Sequence, residues 1–427
     1  MRTFLIGSVL ALVGLSTSAA QVPDHLKGDW TGALTPQLPL ILHIGKDVTL
    51  TSVAQSNTPM PATLRQTEGH IIIELPAFGV KYDATLSADG RQLSGGFQQG
   101  ASTRPVILTL GAPVPAAAPA APVATSPPLR QDREVSISGG QAHLYGSLTT
   151  PDQPRAGPAV LIIAGSGPTD RDSNSSIPGL RSDTYKMLAA ALAERGISSL
   201  RYDKRGIAKS GPAMVREEDL RLSTYVDDAI AWARFLKNQP GVTCVAILGH
   251  SEGALIAAMA AQKTPVCGLI SVSGAGRTMG AVMREQYAAT DLPLPTVLQI
   301  NSVINELEHG RLVPDIPVTD AAFNPSVQPY LISELSVDPS VEIKKTATPL
   351  LIIQGDNDVR VTVPDARLLS AARPDAKLVI LPGVNHVLKT APRDRNGNVA
   401  TYANPALPLA PGLVDPIVEF VSGLAPR

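Results

Sequence analysis

The apolar run Val245-Ala246-Ile247-Leu248 ends in Gly249-His250-Ser251-Glu252-Gly253, and the small-residue segment Ala254-Leu255-Ile256-Ala257-Ala258-Met259 follows at once. The run reads as a strand and the alanine-rich segment as a helix. A chain that passes from strand to helix within one or two residues turns so tightly that the flanking positions must lack bulk, which Gly249 and Gly253 satisfy. Ser251 is then held out at the apex, beside a helix N-terminus. Few folds accept such a turn.

The surrounding pattern agrees. Val135 to Ser138 and Ala142 to Leu148 read as two strands joined through Gly139-Gly140, and Ala159 to Ala164 is a continuous apolar run of buried-strand type. A helix follows from Asp183 to Arg195 after the cap residue Ser182, then strand Ile197 to Tyr202, helix Thr224 to Asn238, the elbow with helix Ala254 to Gln262, and strand Gly268 to Val272. Pro349 to Ile353 and Lys377 to Leu381 are further apolar runs, and Leu413 to Val421 reads as a closing helix. This alternation predicts an α/β domain over 129–427, a mostly parallel sheet with helices on both faces. Between Gly276 and Val341 the alternation stops, and Met279 to Leu312 shows helical spacing through Met283, Tyr287, Leu298, Val303 and Leu307. An insertion of that length cannot all be loop, so a helical cap at about 276–341 is expected over the strand ends.

Upstream, residues 1–20 read as a secretory signal peptide: Arg2, an apolar centre from Phe4 to Leu15, and Ser18-Ala19-Ala20 before the cut. The expected location is periplasmic or extracellular. The apolar centre is shorter than the roughly 20 residues a bilayer span needs, and no membrane span is expected elsewhere. Residues 22–110 alternate with period two (Leu38, Leu40, Leu42, Ile44; Val80, Tyr82, Ala84, Leu86; Leu93, Gly95, Phe97; Val106, Leu108, Leu110), with Asp89-Gly90 as a hairpin turn. This predicts a small antiparallel β-domain, a sheet or barrel with a filled core. His25, His43 and His70 lie in it at spacings that match no metal-site template. Residues 111–128, rich in alanine and proline, read as a linker or an ordered strap. Lys and Arg number 36 against 37 Asp and Glu, so no net field favours nucleic acid. Cys244 and Cys267 precede two consecutive strands and form either a disulfide or two buried thiols, decided by whether their Cα atoms lie within about 7 Å.

A serine hydroxyl barely ionises at neutral pH, so attack by Ser251 requires a base, and the base requires an acid to fix its tautomer. In this class of fold the chain order is Ser, acid, His, which leaves His309 and His386. His309 lies in the cap with no strand before it, whereas His386 follows strand Lys377–Leu381 and the turn Pro382-Gly383-Val384-Asn385 and is the expected base. The acid belongs to the exit of strand Leu350–Ile353, where Asp358 is favoured over Asp356 because Gly355 lets the chain turn first. A tetrahedral intermediate would need two backbone N–H donors: Glu252 after the nucleophile, and Ser166, or second Gly167, from Gly165-Ser166-Gly167-Pro168.

Ala164-Gly165-Ser166-Gly167-Pro168-Thr169-Asp170-Arg171-Asp172, Arg201-Tyr202-Asp203-Lys204-Arg205-Gly206 and the Gly-His-Ser-Glu-Gly elbow together resemble bacterial serine esterases of the α/β-hydrolase superfamily, over about Glu134 to Leu424. The resemblance implies a carboxylesterase with a helical cap, acting on a small-molecule ester without metal or organic cofactor, and supports Asp358 and His386 as the remaining triad members. The β-domain and linker lie outside the usual core. Asp170, Arg171, Asp172 and Arg205 are expected either to bind a polar substrate end or to hold the loops together. Glu252 is expected to pair with an arginine or to meet a substrate amino group. The alternatives are an aminopeptidase or amidase on the same residues, or a non-catalytic cell-envelope binding protein. Oligomeric state is not readable from the chain.

Overall fold

The computed structural model describes residues 23–425, leaving aside 36–37, 53–55, 68, 76–79, 100–101, 114–128, 130–131, 141, 176–178, 291, 315 and 317–320. The leader at 1–20 and most of the linker therefore lie outside the described residues. The chain divides into two units, Met1–Ala118 and Pro119–Arg427.

The first unit is a closed antiparallel barrel of β1 (Gly28–Thr35), β2 (Leu38–Ile44), β3 (Val48–Ser52), β4 (Ser56–Thr67), β5 (His70–Leu75), β6 (Val80–Leu86), β7 (Gln92–Gln99) and β8 (Ser102–Leu110). Each strand pairs with the next, and β8 returns to β1 with Trp30 opposite Leu110. Period-two alternation sends Leu40, Leu42, Ile44, Tyr82 and Ala84 inward, where they pack with Trp30, Ile71, Ile73, Leu93 and Leu108 in one core. The polar atoms carried inside find partners, the Trp30 indole donating to Leu26 O at 2.8 Å and the Tyr82 hydroxyl to Leu93 O at 2.7 Å. His43 and His70 sit on the exposed surface against Asp29 and Asp83.

The second unit is built on an eight-stranded sheet of β9 (Asp132–Ser138), β10 (His143–Thr149), β11 (Gly157–Ile163), β12 (Ser199–Tyr202), β13 (Val242–His250), β14 (Gly268–Val272), β15 (Leu350–Gly355) and β16 (Lys377–Leu381), in the order β16-β15-β14-β13-β11-β12-β10-β9. Pairing is parallel from β12 to β16, and antiparallel where β10 meets β12 and β9. The helices are α1 (Thr184–Glu194), α2 (Leu222–Lys237), α3 (Glu252–Ala261), α4 (Met279–Ala288), α5 (Leu294–Glu308), α6 (Gln328–Leu335), α7 (Pro339–Glu342), α8 (Val363–Ala372), α9 (Arg395–Ala400) and α10 (Val414–Ser422). Leu161 and Ile163 pack on α2 and α3 with Trp232 and Ile256, while Val160 and Ile162 pack on α1 and α10 with Leu188 and Ile417. Both faces of the central strands are therefore buried, which is why their sequences are continuously apolar. This is the α/β-hydrolase fold.

Several boundaries differ from the sequence reading. The first helix starts one residue later, at Thr184, with Asp183 at the N-cap position making no side-chain cap bond; the Ser182 hydroxyl donates to Ser173 O at 2.9 Å and accepts from Thr184 N at 3.4 Å. The segment Met279 to Leu312 is two helices, because Pro293 and Pro295 start α5 afresh. Between β14 and β15, helices α4 to α6 carry their own core of Met283, Ile300, Ile304, Phe323 and Leu331. Cys244 and Cys267 form a disulfide with Cα atoms 5.9 Å apart, bridging the starts of neighbouring strands β13 and β14. Among the described residues no helix is long and apolar enough to cross a membrane.

Candidate active site

The carboxyl ends of the parallel strands gather the site: Gly165 to Pro168 follow β11, Ser251 follows β13, Asp358 follows β15 and His386 follows β16. Ligand chemistry in open α/β sheets collects at this edge. Ser251 has φ 55° and ψ −123°, a left-handed turn residue between His250 and α3. Such a backbone costs about 1–3 kcal/mol and persists only where neighbours enforce it. The glycines do so by vacancy. A Cβ at Gly249 would fall 2.0 Å from Gly253 O, and one at Gly253 would fall 2.5 Å from Ile163 O.

His386 Nδ1 donates to Asp358 Oδ2 at 2.8 Å, which leaves Nε2 as the basic nitrogen. The Asp358 carboxylate is buried and fully engaged, with Gln354 Nε2 3.2 Å from Oδ2 and the N–H groups of Arg360 and Val361 donating to Oδ1 at 2.8 and 3.0 Å. Burial pushes this carboxyl up, but the charge and hydrogen bond of His386 and the two backbone donors outweigh it and hold it below its usual value. Asp356 faces elsewhere, accepting from Gly383 N at 2.6 Å and pairing with Arg393. His309 caps the end of α5 and bonds Asn305 O, remote in role from the site. The structure thus joins Asp358 to His386. The Ser251 hydroxyl makes no hydrogen bond among the described residues, so its contact with His386 is unmade in this state. Such contacts commonly tighten only with substrate bound.

His386 is nonetheless fastened to the neighbour of Ser251. His250 Nε2 lies 2.8 Å from His386 O, and since a carbonyl only accepts, this nitrogen carries the proton. Burial, with the charge of His386, pulls the His250 pKa down to about 3, so the ring is neutral and Nδ1 is an acceptor for the Tyr185 hydroxyl at 2.8 Å. Tyr185 in turn accepts from Gly165 N at 3.2 Å. One line of hydrogen bonds therefore runs from the loop after β11, through Tyr185 and His250, to the backbone of His386. Sequence reasoning missed Tyr185, Gln354 and the role of His250, because their partners lie 20 to 136 positions away or follow from side-chain direction alone.

The proposed anion donors stand near this line. Gly165 backs onto the elbow so closely that a Cβ there would lie 3.2 Å from Ser251 Cβ. Ser166 and Gly167 beyond it are exposed, and neither N–H has a partner among the described residues. The N–H of Glu252 opens α3, where the first turn has no intrahelical acceptor to offer. The N–H groups of Ser166 and Gly167 thus follow the glycine that abuts Ser251, and that of Glu252 opens the helix directly after it.

The charged residues of this region are consumed in structural pairs. Arg171 meets Asp203 at 2.7 Å, Arg201 joins Asp172 at 2.7 Å and Asp132 at 2.6 Å, and Arg205 grips Asp228 at 2.5 Å. Asp170 accepts from the N–H groups of Asp172 and Asn174, and burial raises its carboxyl to about 6. Among the described residues Glu252 pairs with no arginine. Its Oε2 accepts from Lys204 at 3.0 Å and its Oε1 from the Tyr330 hydroxyl of α6 at 2.6 Å. Nearby Glu334 is buried, and burial followed by the charge of Glu252 pushes its carboxyl well above the usual range.

Fold and site together define an α/β-hydrolase domain with a serine elbow and an Asp–His pair. Residues 179–323 match the family described as serine aminopeptidase, S33. The chain is 26% identical over 264 residues to Esterase EstD of Thermotoga maritima, an alignment that spans 60% of this chain and 60% of that relative's length. Among solved structures it is similar to Est1E of Butyrivibrio proteoclasticus with bound ferulic acid (20% identity, 67% of this chain and 96% of that one, TM-score 0.44). It is also similar to a thermophilic esterase of Thermogutta terrifontis (16% identity, 60% and 92%, TM-score 0.39).

Proposed function

We propose that the chain is a carboxylesterase working through an acyl-enzyme on Ser251. Ser251 Oγ attacks the ester carbonyl carbon while His386 Nε2 takes the hydroxyl proton; the oxyanion forms against the N–H groups of Glu252 and Ser166, with Gly167 the second choice for the latter. Collapse breaks the carbon–alkoxy bond, His386 returns the proton to the departing alkoxide, and water activated by the same imidazole releases the acid. The observation that carries this reading is the pair of half-buried His386 and buried Asp358 at 2.8 Å, anchored through His386 O to the residue beside Ser251. Similarity to an esterase supports it.

An amine-recognising peptidase would need a free carboxylate near the nucleophile, and both oxygens of Glu252 are already engaged. Ester over amide is therefore the better-supported choice. The binding-protein alternative is disfavoured by the retention of Ser251, Asp358 and His386 as a set. The leader-like residues 1–20 and the Cys244–Cys267 bridge support export to an oxidising compartment.

Stopped-flow hydrolysis of p-nitrophenyl esters from acetate to laurate tests the proposal. A burst of nitrophenol approaching one per chain is expected, with turnover falling beyond the chain length the cap admits and matched anilides at least about 100-fold slower. Equal rates on anilides and esters, or no turnover of any ester, would overturn it.

A further inference from the structure

The geometry points to Lys204 as the residue that positions both halves of the oxyanion site, an inference that rests on the hydrolase reading above. Lys204 stands just past the end of β12 and is 1% exposed. Its ammonium makes two strong contacts, donating to Gly165 O at 2.6 Å and to Glu252 Oε2 at 3.0 Å. The ring of Tyr225 lies below it with the centroid 5.0 Å from Nζ. These two acceptors belong to the two segments that supply the proposed anion donors, the loop after β11 and the start of α3.

The Gly165 contact acts through the peptide plane. No cis peptide is present among the described residues, and in a trans unit the C=O and the following N–H point in opposite directions. Gly165 O and Ser166 N–H belong to one such unit. Drawing the oxygen toward Lys204 therefore turns the Ser166 N–H away from it, on a loop whose Gly165 backs onto Ser251. The Tyr185 contact to Gly165 N holds the preceding peptide as well, so the donor is aimed before any substrate arrives. Preorganised donors of this kind are worth far more than ones that must reorient during the reaction.

The Glu252 contact acts through the helix start. Glu252 is the first residue of α3, and its carboxylate is clamped between Lys204 and the Tyr330 hydroxyl of α6. The N–H of the same residue is the second donor. One buried ammonium thus fixes the spacing between the two donors, and its positive charge lies on the carbonyl side of the Gly165–Ser166 peptide, polarising that N–H further. Lys204 touches neither substrate nor Ser251 in this arrangement, so it is a positioning residue rather than a catalytic one.

Removing Lys204 alone would strand a buried carboxylate, so the informative comparison is Lys204→Met/Glu252→Gln against Glu252→Gln. The backbone N–H of residue 252 survives in both, and titration of active sites to completion with an irreversible fluorophosphonate reports rates per competent site. The double variant is expected to lose about 100-fold in kcat with KM within threefold. Its affinity for the trifluoromethyl ketone, which Ser251 converts to an anionic hemiketal, should fall by the same factor. Affinity for the matching unfluorinated ketone should be unchanged. Lys204→Gln/Glu252→Gln, which keeps a donor for Gly165 O, should recover part of the loss and serves as the readout if the methionine variant does not fold. A double variant with kcat within threefold of Glu252→Gln, or one altered only in KM or thermal stability, overturns the inference while leaving the hydrolase reading intact. A wild-type chain that neither hydrolyses esters nor forms the hemiketal overturns both.

Discussion

Ser251→Ala is expected to lower ester turnover by about 10⁴- to 10⁶-fold, with the fold and thermal stability unchanged. The magnitude follows from the division of labour at the elbow. The hydroxyl supplies the covalent step, and without it the remaining groups can only orient a water molecule, leaving the residual acceleration that anion donors and binding provide. The fold should tolerate the change, since the hydroxyl makes no hydrogen bond among the described residues and alanine keeps the Cβ that faces Gly165. Relief of a polar side chain from a left-handed position does not enter, because alanine meets the same backbone constraint. Steady-state kinetics on p-nitrophenyl acetate checks it, and retention of more than a few per cent of the rate removes Ser251 from its role.

Asp358→Asn should cost about 10⁴-fold in kcat, nearly as much, for a different reason. Asparagine can keep its Oδ1 toward the N–H groups of Arg360 and Val361. Its amide nitrogen then faces His386 Nδ1 and donates to it, forcing the imidazole proton onto Nε2, the nitrogen that must be bare to accept from Ser251. The site is left well packed but with the wrong tautomer. Asp356→Asn is the matched comparison: it retains an acceptor for Gly383 N, touches neither His386 nor Asp358, and should change kcat by less than about threefold. Measuring both at the pH optimum of the wild type separates a tautomer effect from a general loss of acidic loop structure.

The parts of this molecule that were legible in the sequence are those where a local requirement leaves a local mark. Gly249 and Gly253 are written into the elbow because any side chain at either place would strike backbone within 2.5 Å. The central strands announce themselves as unbroken apolar runs because helices cover both of their faces. The barrel strands that escaped notice show the converse. Strand β4 carries Pro59 and Pro61, which lack the N–H a sheet interior needs, and β5 holds Ile71-Ile72-Ile73 where alternation was sought. Strands β3 to β5 close the barrel only through pairings that no period reveals. In the site, Asp358 and His386 were reachable because each follows its strand by a short turn. Lys204, Tyr185 and Tyr330 were not, since their partners come from other loops and elements, joined by distance in space rather than by spacing in the chain.

The central claim, that Ser251 is a nucleophile served by His386, is tested most directly by covalent trapping. Incubation with a fluorophosphonate, followed by peptide mapping, should give one adduct per chain on the peptide holding Ser251, complete loss of esterase activity, and no adduct in Ser251→Ala. Labelling at a different residue, or ester turnover that continues with Ser251 unmodified, would contradict it.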